Sequence, residues 1–278
     1  MKFNAIVQRI ESLPPLSNAT VFVQRLYKEG AENVDIIKLV RIIESDALLT
    51  LNILKMINAP IYGFSRKIAS IAQAVTLFGT EIIYGLVMNY SIMEALKANT
   101  SSYGISSSEF NDVCHLQSAL MMQWYSKVDL RHAQFLAPLA LVMEAGKLIL
   151  VKEIASSDYV KEFKRGLKEC SSIEDYEYSL LDTTSYYVSG MLFEHWNLEP
   201  LYVDMLKGLD FKHDDGFKME YYIDTLHVVR TAVNVKDILT DESIEKACLL
   251  VEEMNLDVEH FKNVAKRIKE THEKFTKH

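Results

Sequence analysis

The segment from Ala133 to Ile154 (AQFLAPLALVMEAGKLILVKEI) is the most apolar part of the chain and constrains its fold most strongly. Its apolar residues recur at three- and four-residue spacing, which is typical of a helix with one face buried. Gly146 lies inside this run, where a glycine costs about 1 kcal/mol relative to alanine and usually allows another backbone to approach closely. The segment therefore predicts a core helix that packs tightly around Gly146.

The remaining sequence also shows helical periodicity, and no alternating apolar and polar run is flanked by hairpin signals. We therefore expect an all-α fold. Pro14 and Pro15 forbid continuation of a first helix. The polar run from Asn99 to Ser108 (NTSSYGISSS) is the clearest internal linker.

Composition excludes several classes of protein. Apolar residues make up 49% of the chain, enough for a substantial core, and the formal charge of -8 argues against a broad nucleic-acid footprint. Basic residues near the C-terminus are interleaved with Glu270 and Glu273, which favours a solvated helix face. Cys114, Cys170 and Cys248 lie far apart, so neither a disulfide framework nor a thiolate zinc site is predicted.

The N-terminus has no charged segment followed by an apolar stretch, so a secretory signal is not expected. Glu144 and Lys147 interrupt the best candidate for a membrane span. We therefore expect a protein of the reducing cytoplasm that does not insert into a membrane.

Four ordered blocks in the N-terminal half place polar residues and glycine where helices start, end or turn. Ser45 and Asp46 can accept backbone N–H bonds at a helix start. Asn58 can adopt a left-handed C-cap or bond a loop backbone, and Gly79 fits a corner between helices. None of these residues is a nucleophile beside a base. The blocks are Leu13-Pro14-Pro15-Leu16, Ile43-Glu44-Ser45-Asp46-Ala47-Leu48-Leu49-Thr50, Leu54-Lys55-Met56-Ile57-Asn58-Ala59 and the run from Lys67 to Gly79.

These blocks, followed by a helix containing Gly146 and Lys147, resemble the HDOD family, the HD-related output domain of bacterial signalling proteins. The resemblance covers about residues 13–210. It implies a multi-helical, modified HD-domain (PDEase-like) fold with an N-terminal helical lobe at 13–105 and a degenerate HD lobe at 106–210. Helices at 211–278 would pack on the HD lobe.

The resemblance also locates a vestigial metal site. HD phosphohydrolases carry His-Asp, a hydrophobic residue, Gly and Lys after an apolar run; here Met143 and Glu144 replace His and Asp, while Gly146 and Lys147 match. A thioether is a poor ligand for a hard divalent ion. His115 occupies a suitable place for the first histidine of the metal set.

The last aspartate of the HD metal set is also replaced. The late motif reads Leu226-His227-Val228-Val229-Arg230, so Arg230 stands at the aspartate position with a fixed positive charge. Thr184 and Ser185 replace an Asp-His pair of the family pattern. We therefore predict no metal, no cofactor and no catalytic residue, and one hypothesis is that Arg230 forms an ion pair with Glu144.

Other candidate sites are weaker. His213-Asp214-Asp215 falls on a predicted turn, where adjacent side chains point in different directions, so a solvated loop is favoured. No glycine-rich phosphate loop and no G-x-S-x-G motif occurs. The abundant tyrosines could include a protein interface.

The residues and the resemblance together favour a non-catalytic output or scaffold protein in bacterial signalling. It would contact an unidentified signalling protein, with its oligomeric state left open. One alternative is a phosphohydrolase with a rebuilt site containing His115, Glu144 and His227. The other is a nucleotide sensor that kept the pocket, with Arg230 or Lys147 binding phosphate.

Overall fold

The computed structural model describes residues 2–28, 30–64, 66–157, 159–210 and 220–276. Within these ranges the chain forms fifteen α-helices and no β-strand, so the predicted all-α class is confirmed. The helices are α1 (Lys2–Glu11), α2 (Asn18–Tyr27), α3 (Ile36–Glu44), α4 (Ala47–Ile57), α5 (Ile71–Leu96), α6 (Ser107–Tyr125), α7 (Leu130–Val142), α8 (Ala145–Ala155), α9 (Val160–Glu169), α10 (Ile173–Leu181), α11 (Ser185–His195), α12 (Pro200–Gly208), α13 (Glu220–Ala232), α14 (Asp241–Glu253) and α15 (Val258–Thr276).

Side-chain caps set the junction between α3 and α4. The Asp46 carboxylate accepts from the backbone N–H groups of Leu48 and Leu49, at 3.1 and 3.0 Å. It so provides an acceptor for two N–H groups that have no partner within the first turn of α4. Ser45 was predicted to accept at the same helix start, and this was wrong. Its hydroxyl instead donates to the Ile42 carbonyl at 2.6 Å, at the end of α3.

Asn58 and Gly79 set the two ends of the connection from α4 into α5. Asn58 is not left-handed (φ -83°); its amide donates to the Leu54 and Ile68 carbonyls and accepts from the Ile68 N–H, which is the predicted alternative of bonding a loop backbone. Gly79 has φ 81° and ψ 168°, a conformation essentially restricted to glycine, and it bends α5. The predicted corner at Gly79 is confirmed.

The segment after α1 docks on the far end of the HD lobe. α1 ends before Pro14 and Pro15, as those prolines require. The Trp196 indole donates to the Pro14 carbonyl at 3.0 Å, and Leu16 is buried. This contact attaches the N-terminal lobe to the end of α11.

The most apolar segment is two helices rather than one. The continuous core helix predicted over 133–154 is interrupted at Met143 and Glu144, where α7 ends and α8 begins. Residues 145–151 are all buried, so this part of α8 is surrounded by protein on every side rather than buried along one face. It packs against α11 and α1, while α7 packs against α5 and α6.

The polar run from Asn99 to Ser108 is folded back onto the HD lobe. Thr100–Tyr103 forms a 3-10 turn that contacts α8 and α9, and Tyr103 is buried. Ser106 and Glu109 then form a reciprocal capping box that starts α6. The connection therefore contributes a side chain to the interior.

One continuous cluster of buried apolar side chains extends from Ile6 to Ile268, so the segments predicted to be an N-terminal lobe and an HD lobe share a core. Two stretches, Ile71–Leu96 and Leu130–Ala155, have the length and apolar composition of a membrane span. The second contains the candidate that the sequence analysis set aside because of Glu144 and Lys147. The second is 89% buried in the structure. Core helices pass the same test, so this is weak evidence for a membrane segment.

Candidate functional site

The centre of the HD lobe is a buried lysine held between carboxylates. α8 carries Lys147 into the interior, where its side chain is 1% exposed. The ammonium nitrogen lies 2.7 Å from Glu144 Oε2 and 3.8 Å from Glu177 Oε1. It also donates to the Ser185 hydroxyl at 2.7 Å. The ammonium group is therefore paired with anions, as a buried charge must be.

Hydrogen bonds hold both carboxylates in place. Glu144 Oε1 accepts from Gln117 Nε2 at 2.8 Å and from the Tyr186 hydroxyl at 2.9 Å. Glu177 accepts from the Tyr103 hydroxyl and from the Ser185 backbone N–H, both at 2.6 Å. These donors supply the hydrogen bonds that buried carboxylates lose on leaving water.

Two aromatic faces complete the surroundings of the cation. Lys147 Nζ lies 4.8 Å from the Tyr186 ring centroid and 5.6 Å from that of Tyr103, within cation–π range. The Arg230 guanidinium also lies over the Tyr186 ring, 4.5 Å from its centroid. The Tyr186 side chain therefore contacts both cations while its hydroxyl donates to Glu144.

The electrostatics favour a permanently charged lysine. Burial alone would lower the pKa of Lys147, but the Glu144 and Glu177 carboxylates outweigh it and raise this pKa above its ordinary value. Burial raises the pKa of Glu177, against the opposing effect of Lys147. The Glu177 carboxyl therefore takes up a proton more readily than a carboxyl in water does.

Gly146 makes the lysine site possible. A Cβ atom at Gly146 would lie 1.9 Å from the Ser185 carbonyl oxygen, so only glycine lets α11 approach α8 this closely. The Gly146 N–H donates to the Ser189 hydroxyl at 2.7 Å, and that hydroxyl donates to the Met143 carbonyl at 2.8 Å. The predicted close backbone approach at Gly146 is confirmed, and it brings Ser185 to Lys147.

His115 is turned towards a different part of the molecule. Its Nδ1 hydrogen-bonds the Tyr62 hydroxyl at 2.8 Å, and its ring lines a cleft between α4, α6 and the end of α15. Burial lowers the pKa of His115 to about 4, so the ring is neutral at pH 7. Among its described contacts none is to Glu144.

His227 and Arg230 lie on α13 beside a second cleft, of about 270 Å³, next to the start of α10. Arg230 donates to the Leu209 carbonyl at 2.8 Å and lies 3.7 Å from Glu174 Oε1. The hypothesis of an Arg230–Glu144 ion pair is wrong, because Glu144 pairs with Lys147. Burial, together with the Arg230 charge, lowers the pKa of His227 to about 4.

The residues present do not fit the divalent metal site of HD enzymes. Within the described part of the chain, no three His, Cys, Asp or Glu side chains are grouped so that they could hold a metal ion. The carboxylate of Glu144 is already neutralised by Lys147. The predicted turn at His213-Asp214-Asp215 lies outside the described residues.

Glu177, Gln117 and Tyr186 were missed by the sequence reasoning. Glu177 had a detectable signal, because Ile173, Glu177 and Leu181 follow one another at four-residue spacing and all three are buried. A carboxylate on the buried stripe of an amphipathic helix requires an internal partner. Lys147 could have been recognised as that partner only with tertiary information.

The arrangement of helices around α7 and α8 is that of an HD-related helical domain. The family model of the HDOD domain matches residues 13–209, which is more than half of the chain. The chain therefore belongs to the HDOD domain family.

Three solved structures share this fold. A virulence factor from Campylobacter jejuni subsp. jejuni is 24% identical with a TM-score of 0.56, covering 96% of this chain and 98% of that one. A candidate phosphohydrolase from Shewanella amazonensis is 15% identical with a TM-score of 0.69, covering 96% and 94%. A candidate signal transduction protein from Marinobacter aquaeolei is 15% identical with a TM-score of 0.69, covering 97% and 63%. No curated protein matches the chain. At these identities the likeness concerns the fold alone.

Proposed function

We propose that the chain is a non-catalytic output or scaffold module of a bacterial signalling system, acting in the cytoplasm through contacts with another protein. The observation that carries this proposal is the missing ligand set: among the described residues no three His, Cys, Asp or Glu side chains are grouped so that they could hold a metal ion. Met143 and Arg230 stand at two of the HD ligand positions, and Glu144, at a third, is paired with Lys147 at 2.7 Å. A thioether and a guanidinium do not bind a hard divalent cation.

The same geometry argues against the two alternatives. A hydrolase would need His115 to reach Glu144, whereas its Nδ1 is bonded to Tyr62 in another cleft. A nucleotide sensor that used Lys147 would need a lysine open to solvent, and this one is 1% exposed. Arg230 is already engaged by the Leu209 carbonyl and Glu174.

The N-terminal lobe offers a surface for protein contact. Leu48 and Leu51 are 66% and 64% exposed and lie one turn apart on α4. Ile36 and Ile37 on the neighbouring α3 are also exposed. Apolar side chains paired on one helix face are the usual anchor of a helix or groove in a partner protein.

The proposed absence of catalysis is tested by measuring metal content and hydrolysis. Protein purified without chelator should contain far less than one transition metal per chain by elemental mass spectrometry. With added Mn²⁺, cleavage of bis(p-nitrophenyl) phosphate and of cyclic dinucleotides should equal that of the Glu144→Gln variant. Stoichiometric metal, or hydrolysis that Glu144→Gln abolishes, would refute the proposal.

The proposed contact with a partner protein is tested with the double variant Leu48→Asp/Leu51→Asp in full-length protein. Quantitative crosslinking in extracts of the source cells should yield a partner that this variant loses. Leu249→Asp on α14 is a matched control, because Leu249 is 61% exposed and lies outside the N-terminal lobe. Equal partner recovery with the double variant and the control would contradict a docking role for α4.

A further inference from the structure

A cleft of about 990 Å³ lies between α9 and the segment 99–106 that leads into α6. Lys164, Arg165 and Lys168 of α9 line it, and Lys236, from the turn after α13, lines it as well. Among the described residues no Asp or Glu belongs to this lining. Although the chain as a whole has a formal charge of -8, the cleft is therefore a local concentration of positive charge.

The basic side chains of α9 form a row along one face of the helix. Residues at three- and four-residue spacing are neighbours on a helix surface. Four cations follow one another on α9 at this spacing: Lys161, Lys164, Arg165 and Lys168. Phe163 belongs to the opposite, buried face. Lys164 is half-buried, whereas the other three cations are exposed. The sequence of α9 thus directs a row of positive charge along the cleft.

The acidic side chains of α9 lie on the side next to α10. The Tyr176 hydroxyl of α10 donates to the Glu162 carbonyl at 3.1 Å, and a Cβ atom at Gly166 would lie 2.2 Å from its oxygen. Glu169 follows Gly166 by three residues and so shares this side of the helix. Burial raises the pKa of Tyr176, and the Glu162 and Glu169 carboxylates raise it further. Positive and negative charge are therefore separated across α9.

The row of cations repels itself. Like charges at three- and four-residue spacing destabilise a helix. None of these four side chains has an ion-pair partner among the described residues. By contrast, Lys262 and Lys269 on α15 are each paired with a carboxylate of α14. An anion from outside the chain would remove the repulsion within the row.

The other sides of the cleft add polar groups and room. Lys236 donates one proton to the Cys170 carbonyl and keeps two more for another acceptor. Ser106 is exposed at the cleft, and beside it Gly104 has open space where a Cβ atom would stand. The Glu109 carboxylate is outside the lining and is held by the Ser106 N–H at 2.7 Å.

Charge and size together select the class of ligand. A phosphate group carries a charge of about -1.5 to -2 at pH 7 and offers three strong acceptor oxygens. Two such groups balance the four cations that line the cleft, whereas a carboxylate ligand would need four separate groups. The cleft volume lies at the upper end of the range for small-molecule sites, about 300–1,000 Å³.

We infer that this cleft binds an anion that carries two or more phosphate groups, held by Lys164, Arg165 and Lys168 on one side and by Lys236 on the other. Tyr103 is the one residue that the cleft shares with the surroundings of Lys147. The inference is independent of the role proposed for that cluster, because it requires neither metal nor hydrolysis.

The test measures binding of defined probes by isothermal titration calorimetry, with full-length protein at low ionic strength and without divalent ions. Pyrophosphate should bind with a dissociation constant on the order of 0.1 mM, as expected for so small a ligand. Orthophosphate should bind at least about tenfold more weakly, because it engages fewer of the cations. Citrate and hexaglutamate test whether carboxylates suffice, and both should bind more weakly than pyrophosphate.

A pair of matched variants locates the binding. Lys164→Gln/Lys168→Gln removes two cations of the cleft and should weaken pyrophosphate binding at least about tenfold. Lys266→Gln/Lys274→Gln makes the same change in net charge at exposed positions of α15 outside the cleft, and it should bind pyrophosphate as the wild type does.

The source of the phosphate is distinguished with vesicles of phosphatidylcholine containing cardiolipin, whose headgroup carries two phosphates. Pyrophosphate binding without vesicle binding supports a free ligand, and vesicle binding that pyrophosphate displaces supports a lipid headgroup. Equal weakening by the two double variants would overturn the inference, since the attraction would then belong to the whole surface. It would also be overturned by citrate or hexaglutamate binding as tightly as pyrophosphate, or by no pyrophosphate binding.

Discussion

Replacing Lys147 with methionine should destabilise the protein far more than its loss of packing would suggest. At an effective dielectric constant of about 20, the pair at 2.7 Å is worth about 6 kcal/mol before desolvation. Removing one partner of a buried pair costs about 3–5 kcal/mol, because the other charge stays buried and unpaired. For a chain of this length that corresponds to a fall in melting temperature on the order of 10 °C.

The stability lost on replacing Lys147 with methionine should increase as the pH rises. Glu177, whose pKa burial already raises, loses its nearest cation in the variant, so its folded-state pKa rises further. The folded variant then binds more protons than the unfolded chain, and its free energy of unfolding falls as pH rises above the unfolded carboxyl pKa of about 4.3. Urea unfolding followed by circular dichroism should therefore give a smaller deficit relative to wild type at pH 5 than at pH 8.

A second substitution tests the cause. Lys147→Met/Glu144→Gln removes the orphaned carboxylate and should recover part of the lost stability, with a coupling free energy above about 1 kcal/mol. A Lys147→Met variant that loses less than about 1 kcal/mol would refute the reasoning. A double variant no more stable than the single one would refute it as well.

Four further substitutions follow from local geometry, each measured by urea unfolding. Gly146→Ala should lower the free energy of unfolding by about 3 kcal/mol or more, because its Cβ would lie 1.9 Å from the Ser185 carbonyl oxygen. Gly63 has open space around it but a φ of 71°, so Gly63→Ala should lower the free energy of unfolding by only about 1–2 kcal/mol. Equal losses in the two variants would contradict this reasoning. Asn58→Ala removes hydrogen bonds to two carbonyls and one N–H, so it should lower the free energy of unfolding by about 1–3 kcal/mol. It should also speed hydrogen exchange of the Ile68 amide, and an unchanged exchange rate would contradict the role given to Asn58. Asp46→Ala should cost about 1 kcal/mol as a lost N-cap, and no change in stability would contradict that role.

Local signals in the sequence were sufficient for much of the fold. Helical periodicity predicted the all-α class, and Gly79 and Asp46 marked a corner and a cap because their roles depend on neighbours in sequence. The break between α7 and α8 was not predicted. Met143 and Glu144 continue the helical pattern in the sequence, and both keep right-handed helical dihedral angles in the structure, so periodicity alone does not reveal the break.

The candidate site was predictable only in part. The resemblance selected Glu144 and Lys147, but it could not show that they pair with each other. Glu177 joins them through α10, and Tyr103 reaches the cluster from a segment that the sequence suggested was a linker. Contacts between residues far apart in sequence produce no periodic pattern that a single sequence reveals. For the same reason Arg230 was assigned to Glu144, whereas it lies beside Glu174.

The Lys147–Glu144 ion pair is built from the chain's own side chains rather than from a bound ion. Occupancy of a metal site follows the concentration of free ion and can be lost to a chelator or taken by the wrong metal. The ammonium group of Lys147 is synthesised with the chain, so its ion pair with Glu144 forms in every molecule whatever the metal supply. Removing its charge by acetylation would require reagents to reach a side chain that is 1% exposed, which only local unfolding permits. This region should therefore keep its structure through metal starvation.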